Sequence, residues 1–305
     1  MKKFWCEKQQ RDLLVIVTDL GVVSILGYEK EKHNFEVILK EELPSCYPNR
    51  IAGHHLAVSK LGWAVMIGAM DIVKHILALE YTSDKGISVK KKWTFTNNTL
   101  IFDIGVLGTS GYSAAHCMFA SLENAYVKVH PDKPPLHIPK QKIVIFDLNV
   151  NELEITTRES PYLRHQANHL ISVPQKKGIL ICSENCIAYY SYRFSKLKQC
   201  PIPKRLTNSK EDVIIACSAV CFENGKSLIL AQSEQGDIFK ITLLGTELKV
   251  KEIIIEYFDT IPVASSLCII GTTYLFAASE FGNHHLYAIK YAKDVKAVLK
   301  ALFHK

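Results

Sequence analysis

No stretch of the 305 residues approaches the roughly 18 uninterrupted apolar residues that a membrane-spanning helix needs. The basic start, Met1 to Arg11, lacks the small-residue cleavage pattern of a secretory leader. A soluble intracellular chain is therefore expected. Long segments with apolar residues at i, i+3, i+4 and i+7 are scarce, which argues against helical solenoids. Catalytic fingerprints are missing too. There is no Gly-x-Ser-x-Gly elbow, no phosphate-cradling loop and no Gly-x-Gly-x-x-Gly turn. Asp71, Asp103 and Asp147 have no recognisable base or nucleophile beside them, so no enzyme is expected.

Metal chemistry finds equally little. The nine cysteines are odd in number and lie mostly within apolar runs, as small buried thiols do in a reducing compartment. Cys217 and Cys221 look strand-borne, and four residues of strand span roughly 13 Å, too far for one ion. Cys182 and Cys186 straddle a turn but lack further ligands. The pairs His54-His55 and His284-His285 would point to opposite faces of a strand. No metal or cofactor is expected.

What is present is a repeat. An apolar β-branched run, a Ser/Thr-acid-x-Gly/Asn turn and a second apolar run recur around Thr18–Gly21, Ser183–Asn185, Ser233–Gly236 and Ser279–Gly282. Gly and Asn tolerate the positive φ such a turn demands. Gly236 to Gly282 is 46 residues and Asn185 to Gly236 is 51. A period of 40–50 residues with several strands per unit is that of β-propeller blades. About five to six WD40-like blades are counted, fewer than a closed seven-bladed ring. The predicted fold is an all-β, incomplete seven-bladed propeller over residues 1–290. Residues 12–40 read as the end of one blade, Glu80–Trp93 as a polar loop, and Asn124–Lys140 and Lys196–Asp212 as irregular breaks. A tail, Tyr291–Lys305, reads as a short helix with Val295, Val298, Leu299 and Leu302 on one face.

The formal net charge is +7. Its main sources are the Lys85–Lys92 and Lys128–Lys142 segments and Lys204-Arg205, which lack the interleaved aromatics of a base-stacking platform. Direct RNA binding through these segments is the alternative to a solvated rim or an acidic partner.

Several segments resemble the first propeller of the splicing factor 3b subunit 3 family. They are Gln232–Thr242, Tyr257–Ala264 and Ala278–His284, with Arg50-Ile51, Leu56–Val58, Ala64–Ile67, Leu180–Asn185 and Cys200–Arg205, in family order. The family's subunit is about four times longer, so a first blade, two further propellers and a C-terminal region have no counterpart here. The resemblance implies a nuclear, non-enzymatic scaffold of the SF3b complex of the U2 particle, supporting branch-site recognition. Its implied partners are the HEAT-repeat subunit, the small PHD-finger-like subunit and the smallest SF3b subunit, with U2 RNA contacted only indirectly and no membrane. A truncated product without a role of its own is the remaining alternative.

Glu234 and Glu280 hold the same position in equivalent turns, so both should emerge at one end of the blades. The resemblance suggests that this end, with the connections Glu42–His54, Ala78–Thr99 and Asn124–His165, faces the partners. The expected partner-facing residues are Glu234, Glu280, Asn49, Arg50, His54, Lys91, Lys92 and Asp212. A solvated turn residue is the plainer reading of each Glu.

Overall fold

A computed structural model describes the chain apart from residues 7–8, 19, 44–54, 70–72, 83–85, 97–98, 108–115, 126–139, 161, 164–165, 175, 177, 192–193, 206–210, 224, 247–248, 280–281, 291–297 and 304–305. The described residues hold strands and no helix. The strands form six four-stranded antiparallel meanders, the construction of propeller blades. Three belong to a first compact unit, Met1–Leu163, and three to a second, Arg164–Lys305.

In the first unit, sheet 1 runs β1 (Lys2–Cys6), β2 (Arg11–Val17), β3 (Val22–Glu29) and β4 (Asn34–Glu42). Sheet 2 runs β5 (His55–Val58), β6 (Ala64–Ala69), β7 (Val73–Thr82) and β8 (Gly86–Thr96). Sheet 3 runs β9 (Thr99–Val106), β10 (His116–Ala125), β11 (Gln141–Asn149) and β12 (Glu154–Glu159). In the second unit, sheet 4 holds β13 (Ala167–Ser172), β14 (Ile179–Ser183), β15 (Cys186–Ser191) and β16 (Phe194–Pro201). Sheet 5 holds β17 (Ile215–Glu223), β18 (Lys226–Ser233), β19 (Asp237–Gly245) and β20 (Val250–Thr260). Sheet 6 holds β21 (Ser266–Ile270), β22 (Tyr274–Ala278), β23 (His285–Lys290) and β24 (Val298–Phe303).

Alternation along each strand sends one set of apolar side chains to each sheet face. Facing sheets bury these sets together. Leu13, Val15, Val23 and Ile25 of sheet 1 meet Val65, Ile67, Leu77 and Leu79 of sheet 2. Met66, Ile76 and Ala78 leave the other face of sheet 2 to meet Phe119 and Phe146 of sheet 3. Sheets 4 and 5 join through Leu180, Ile187, Ile229 and Phe239, and sheets 5 and 6 through Leu230, Ile238, Leu275 and Tyr287.

Buried polar groups interrupt this apolar packing, among them an ion pair. Lys74 of β7 and Glu123 of β10 form an ion pair at 2.7 Å with neither side chain exposed. Thr99 Oγ1 donates to Glu123 Oε2 at 2.6 Å and Ser121 Oγ to Oε1, while the ammonium lies 5.9 Å from the Phe146 ring centre. Burial pushes the Lys74 pKa down, and the Glu123 carboxylate opposes that shift. Its neighbour His75 is also fully buried, with Nδ1 3.0 Å from Thr94 Oγ1 and Nε2 without a partner among the described residues. Burial, then the charge of Lys92, lowers its pKa to about 4.

Several expectations need correction. Residues 2–42 make a whole blade, not the end of one. Where described, the supposed loop Glu80–Trp93 is the end of β7 and most of β8, two paired strands. Its alternate residues Ile87, Val89, Trp93 and Phe95 pack inward, and the lysines between them keep their charged heads outside. Lys196–Pro201 within the second break is strand β16. The helix expected over Tyr291–Lys305 is a strand where described, because Val298–Phe303 pairs with β23 from Lys290 to Leu286. An apolar segment this short fits either period, and the open edge of β23 offers hydrogen bonds that a lone helix would lack.

Candidate interaction surface

The recurring turns join the second strand of a sheet to the third. Their positive-φ residues are Gly21 (78°), Asn185 (60°) and Gly236 (86°). A side chain at Gly236 would place its Cβ 2.4 Å from the Ile261 carbonyl oxygen, so glycine is required there twice over. In all three turns the carbonyl of this residue accepts the backbone N–H that follows the fourth strand. Leu43 donates to Gly21 at 2.9 Å, Ile202 to Asn185 at 2.9 Å and Ile261 to Gly236 at 3.0 Å. The preceding turn residue bonds to the chain that enters the sheet: Glu184 N to Gln166 O at 3.1 Å, and Glu234 N to Ile214 O at 3.0 Å. In sheets 4 and 5 the turn therefore shares its end with the connections entering and leaving the sheet, and in sheet 1 with the chain that leaves it.

Glu234 stands exposed at that end of sheet 5, and Glu184 is its counterpart on sheet 4. Sequence reasoning passed over Glu184, although Ser183-Glu184-Asn185 repeats the Ser-Glu step of Ser233-Glu234. Asp212 lies in the connection beside the Asn185 turn. It accepts from Asn185 Nδ2 at 2.6 Å and lies 3.9 Å from Lys204 Nζ. Asn185 Oδ1 in turn accepts Val213 N–H at 3.0 Å, so Asp212 helps to hold the turn as well as facing solvent.

A second group missed from sequence organises the β18–β19 turn. Arg205 donates to Asp237 from Nε at 2.7 Å and from Nη2 at 2.5 Å, the bidentate fork that guanidinium and carboxylate favour. Thr260 Oγ1 adds a third bond at 2.5 Å. Burial alone would raise the Asp237 carboxyl. The bonds from Arg205 and Thr260 and the guanidinium charge outweigh it and hold the group below the usual carboxylate range. The side-chain amide of the fully buried Gln232 spans the same turn, donating to Gly236 O, Ile261 O and Pro262 O and accepting Ala264 N–H. Neither group has a short-range motif, because apart from Gly236 its partners lie 23–32 residues away in sequence.

The lysines are placed differently. Lys92 Nζ donates to Glu41 Oε1 at 2.5 Å and to Glu42 O at 2.9 Å, tying β8 to β4. Lys91 donates to Leu153 O at 3.0 Å and lies 5.0 Å from the Trp93 ring centre. Both sit within the outer strand of sheet 2, in the first unit, whereas Glu234 and Asp212 belong to the second. Lys92 is ion-paired with Glu41, whereas among the described residues Lys91 meets only a carbonyl oxygen and a ring face. Glu280, Asn49, Arg50 and His54 lie outside the described residues, as does most of Lys128–Lys142. Cys217 is strand-borne and packed, its thiol pushed up to about 12 by burial. Among the described residues, no group of three or more His, Cys, Asp or Glu side chains is placed to hold a metal ion.

Comparison with known proteins agrees with this architecture. Residues 1–299 match the family model described as the RSE1/DDB1/CPSF1 first beta-propeller. The chain is 36% identical over 296 residues to splicing factor 3B subunit 3 of Danio rerio, covering 93% of this chain and 24% of that protein. The Drosophila melanogaster protein of the same name is 33% identical over 300 residues, with the same coverage. Spliceosome-associated protein 130 A of Arabidopsis thaliana is 31% identical over 288 residues, 91% of this chain and 23% of that one. The chain spans about a quarter of the length of these relatives. With six blade sheets and a family match across almost all of its residues, the chain belongs to the RSE1/DDB1/CPSF1 first-propeller family.

Proposed function

We propose that this chain is a non-enzymatic protein-interaction scaffold in pre-mRNA splicing, acting in the nucleus within the SF3b complex of the U2 particle. The observation that carries the reading is its likeness to splicing factor 3B subunit 3 along 93% of its length. The turn end of the sheets is the partner face. There Glu184 and Glu234 project from equivalent, tightly bonded turns, and Glu280 holds the same place in the motif. Rigid turns of this kind present side chains at little entropic cost on binding. The partners are the HEAT-repeat subunit and the two small SF3b subunits, and U2 RNA is reached through them.

The test is co-purification of the tagged chain with the HEAT-repeat subunit. Combining Glu184→Lys, Glu234→Lys and Glu280→Lys should weaken capture roughly tenfold or more, since like charges then face a surface selected for acidic groups. A folded triple variant recovering the subunit at the wild-type level would remove the turn end from the interface. Failure of the wild-type chain to capture any of the three subunits would remove the splicing assignment itself.

A further inference from the structure

Strand β9 does not run evenly against β10. Val106 pairs with Phe119, Ile104 with Ser121 and Asp103 with Leu122, but then Ile101, not Phe102, stands opposite Glu123 and Thr99 opposite Ala125. Phe102 is the extra residue of a β-bulge, and the bulge changes which alternate residues of β9 point toward sheet 2. On one side of it they are Val106 and Ile104, on the other Ile101 and Thr99. Both isoleucines reach Gly68 of β6, where an added Cβ would lie 3.0 Å from Ile104 Cδ1 and 3.5 Å from Ile101 Cδ1. Phe102 is left 39% exposed.

The apolar pattern argues for the other register. Without the slip, Phe102 would stand opposite Glu123 and Leu100 opposite Ala125. A phenylalanine and a leucine would then turn toward sheet 2 in place of an isoleucine and a threonine, and burying an aromatic ring is strongly favourable. What the straight register would lose is polar. Thr99 would turn to the opposite face, and its hydroxyl bond to Glu123 Oε2 at 2.6 Å would go with it. Oε1 is engaged by Lys74 and Ser121, neither of which lies on β9. The second oxygen of a fully buried carboxylate would be left without its donor, which costs more than an ordinary hydrogen bond contributes.

We propose that the buried carboxylate of Glu123, fixed by Lys74, sets the register of β9 through Thr99 and so holds a bulge that the apolar residues alone would remove. Buried polar groups serve in this way where one arrangement must be selected among several of similar stability. The selection acts on β9 alone, since Lys74, Ser121 and Glu123 keep their places in either register.

Isoleucine-methyl NMR of the full chain reads the register, because the Ile101 methyl lies beside Gly68 only in the bulged form. Wild type should give one Ile101 signal with a cross-peak to the Gly68 α-protons. In Thr99→Val the discriminating bond is gone, and a second Ile101 signal lacking that cross-peak should take roughly a tenth or more of the intensity. Lys74→Met with Glu123→Leu removes the need for the bond and should give the same second signal. Thr99→Ser keeps the hydroxyl and should keep one signal. Adding Phe102→Ser to Thr99→Val takes away the apolar advantage of the straight register and should restore one signal. Far-UV circular dichroism verifies that each variant retains its sheet content. A single Ile101 signal with its cross-peak in folded Thr99→Val, or in the folded double variant, overturns the proposal. A second signal as large in Thr99→Ser as in Thr99→Val overturns it as well.

Discussion

Lys74→Met is expected to destabilise the first unit by about 3–5 kcal/mol, the usual cost of removing one partner from a buried ion pair. The cost arises at Glu123. Its carboxylate is fully buried and keeps the hydroxyl bonds of Thr99 and Ser121, but loses the ammonium that pairs with it. Either the charge stays unpaired in an apolar setting or the group takes up a proton, and both outcomes disfavour the fold. The double variant Lys74→Met with Glu123→Leu should recover most of the loss, because apolar groups of similar size suit the surrounding Phe119 and Phe146. All three tryptophans, Trp5, Trp63 and Trp93, lie in the first unit, so urea unfolding followed by their fluorescence reports on the right part of the chain. A single variant within about 1 kcal/mol of wild type would mean that the pair is solvated in solution, contrary to its buried position.

The second large effect is a pH dependence. His75 is buried neutral, with its pKa lowered to about 4 from the ordinary 6.5. The unfolded chain therefore binds a proton at His75 in a pH range where the folded chain does not. Stability contributed by the neutral ring is complete above about pH 6.5 and is lost progressively as pH falls toward 4. A shift of this size corresponds to roughly 3 kcal/mol. Burial is the main cause, and the nearby ammonium of Lys92 adds to it. The measurement is the difference in urea midpoint between wild type and His75→Gln at several pH values. That difference should shrink steadily between pH 6.5 and 4, because the variant has no ring to protonate. A difference that does not change across this window would show that the ring is hydrated and titrates normally.

The fold was legible where the chain repeats itself. Gly21, Asn185 and Gly236 announced the turns, the runs around them announced strands, and their interval announced blades. Strand β8 was hidden by its own composition, since Lys85 to Lys92 reads as solvated loop unless Ile87 and Val89 are seen to alternate with the charges. The terminal strand was hidden because six apolar-rich residues carry no decisive period, and the partner that selects the extended form, β23, is a tertiary fact. The candidate surface divided in the same way. Glu234 could be found from its turn, and Glu184 could have been found by the same rule. The Arg205–Asp237–Thr260 group and the Lys74–Glu123 pair could not, because each joins residues far apart along the chain that only the packing of sheets brings together.

The bond from each positive-φ carbonyl to the first N–H beyond the fourth strand has a consequence for how such a chain can change over time. The bond fixes Leu43, Ile202 and Ile261 relative to their own blades, so whatever follows begins from a defined point. The spans that follow, residues 44–54, 203–214 and 262–265, differ up to threefold in length, yet each leads into the first strand of the next meander. Insertions and deletions can thus accumulate in the parts of these spans outside Arg205, Asp212, Pro262 and Ala264, which are bonded to the sheets, since lengthening a surface loop costs little closure entropy. New binding specificity can be acquired there by editing loop length alone, while the blades on either side stay as they are.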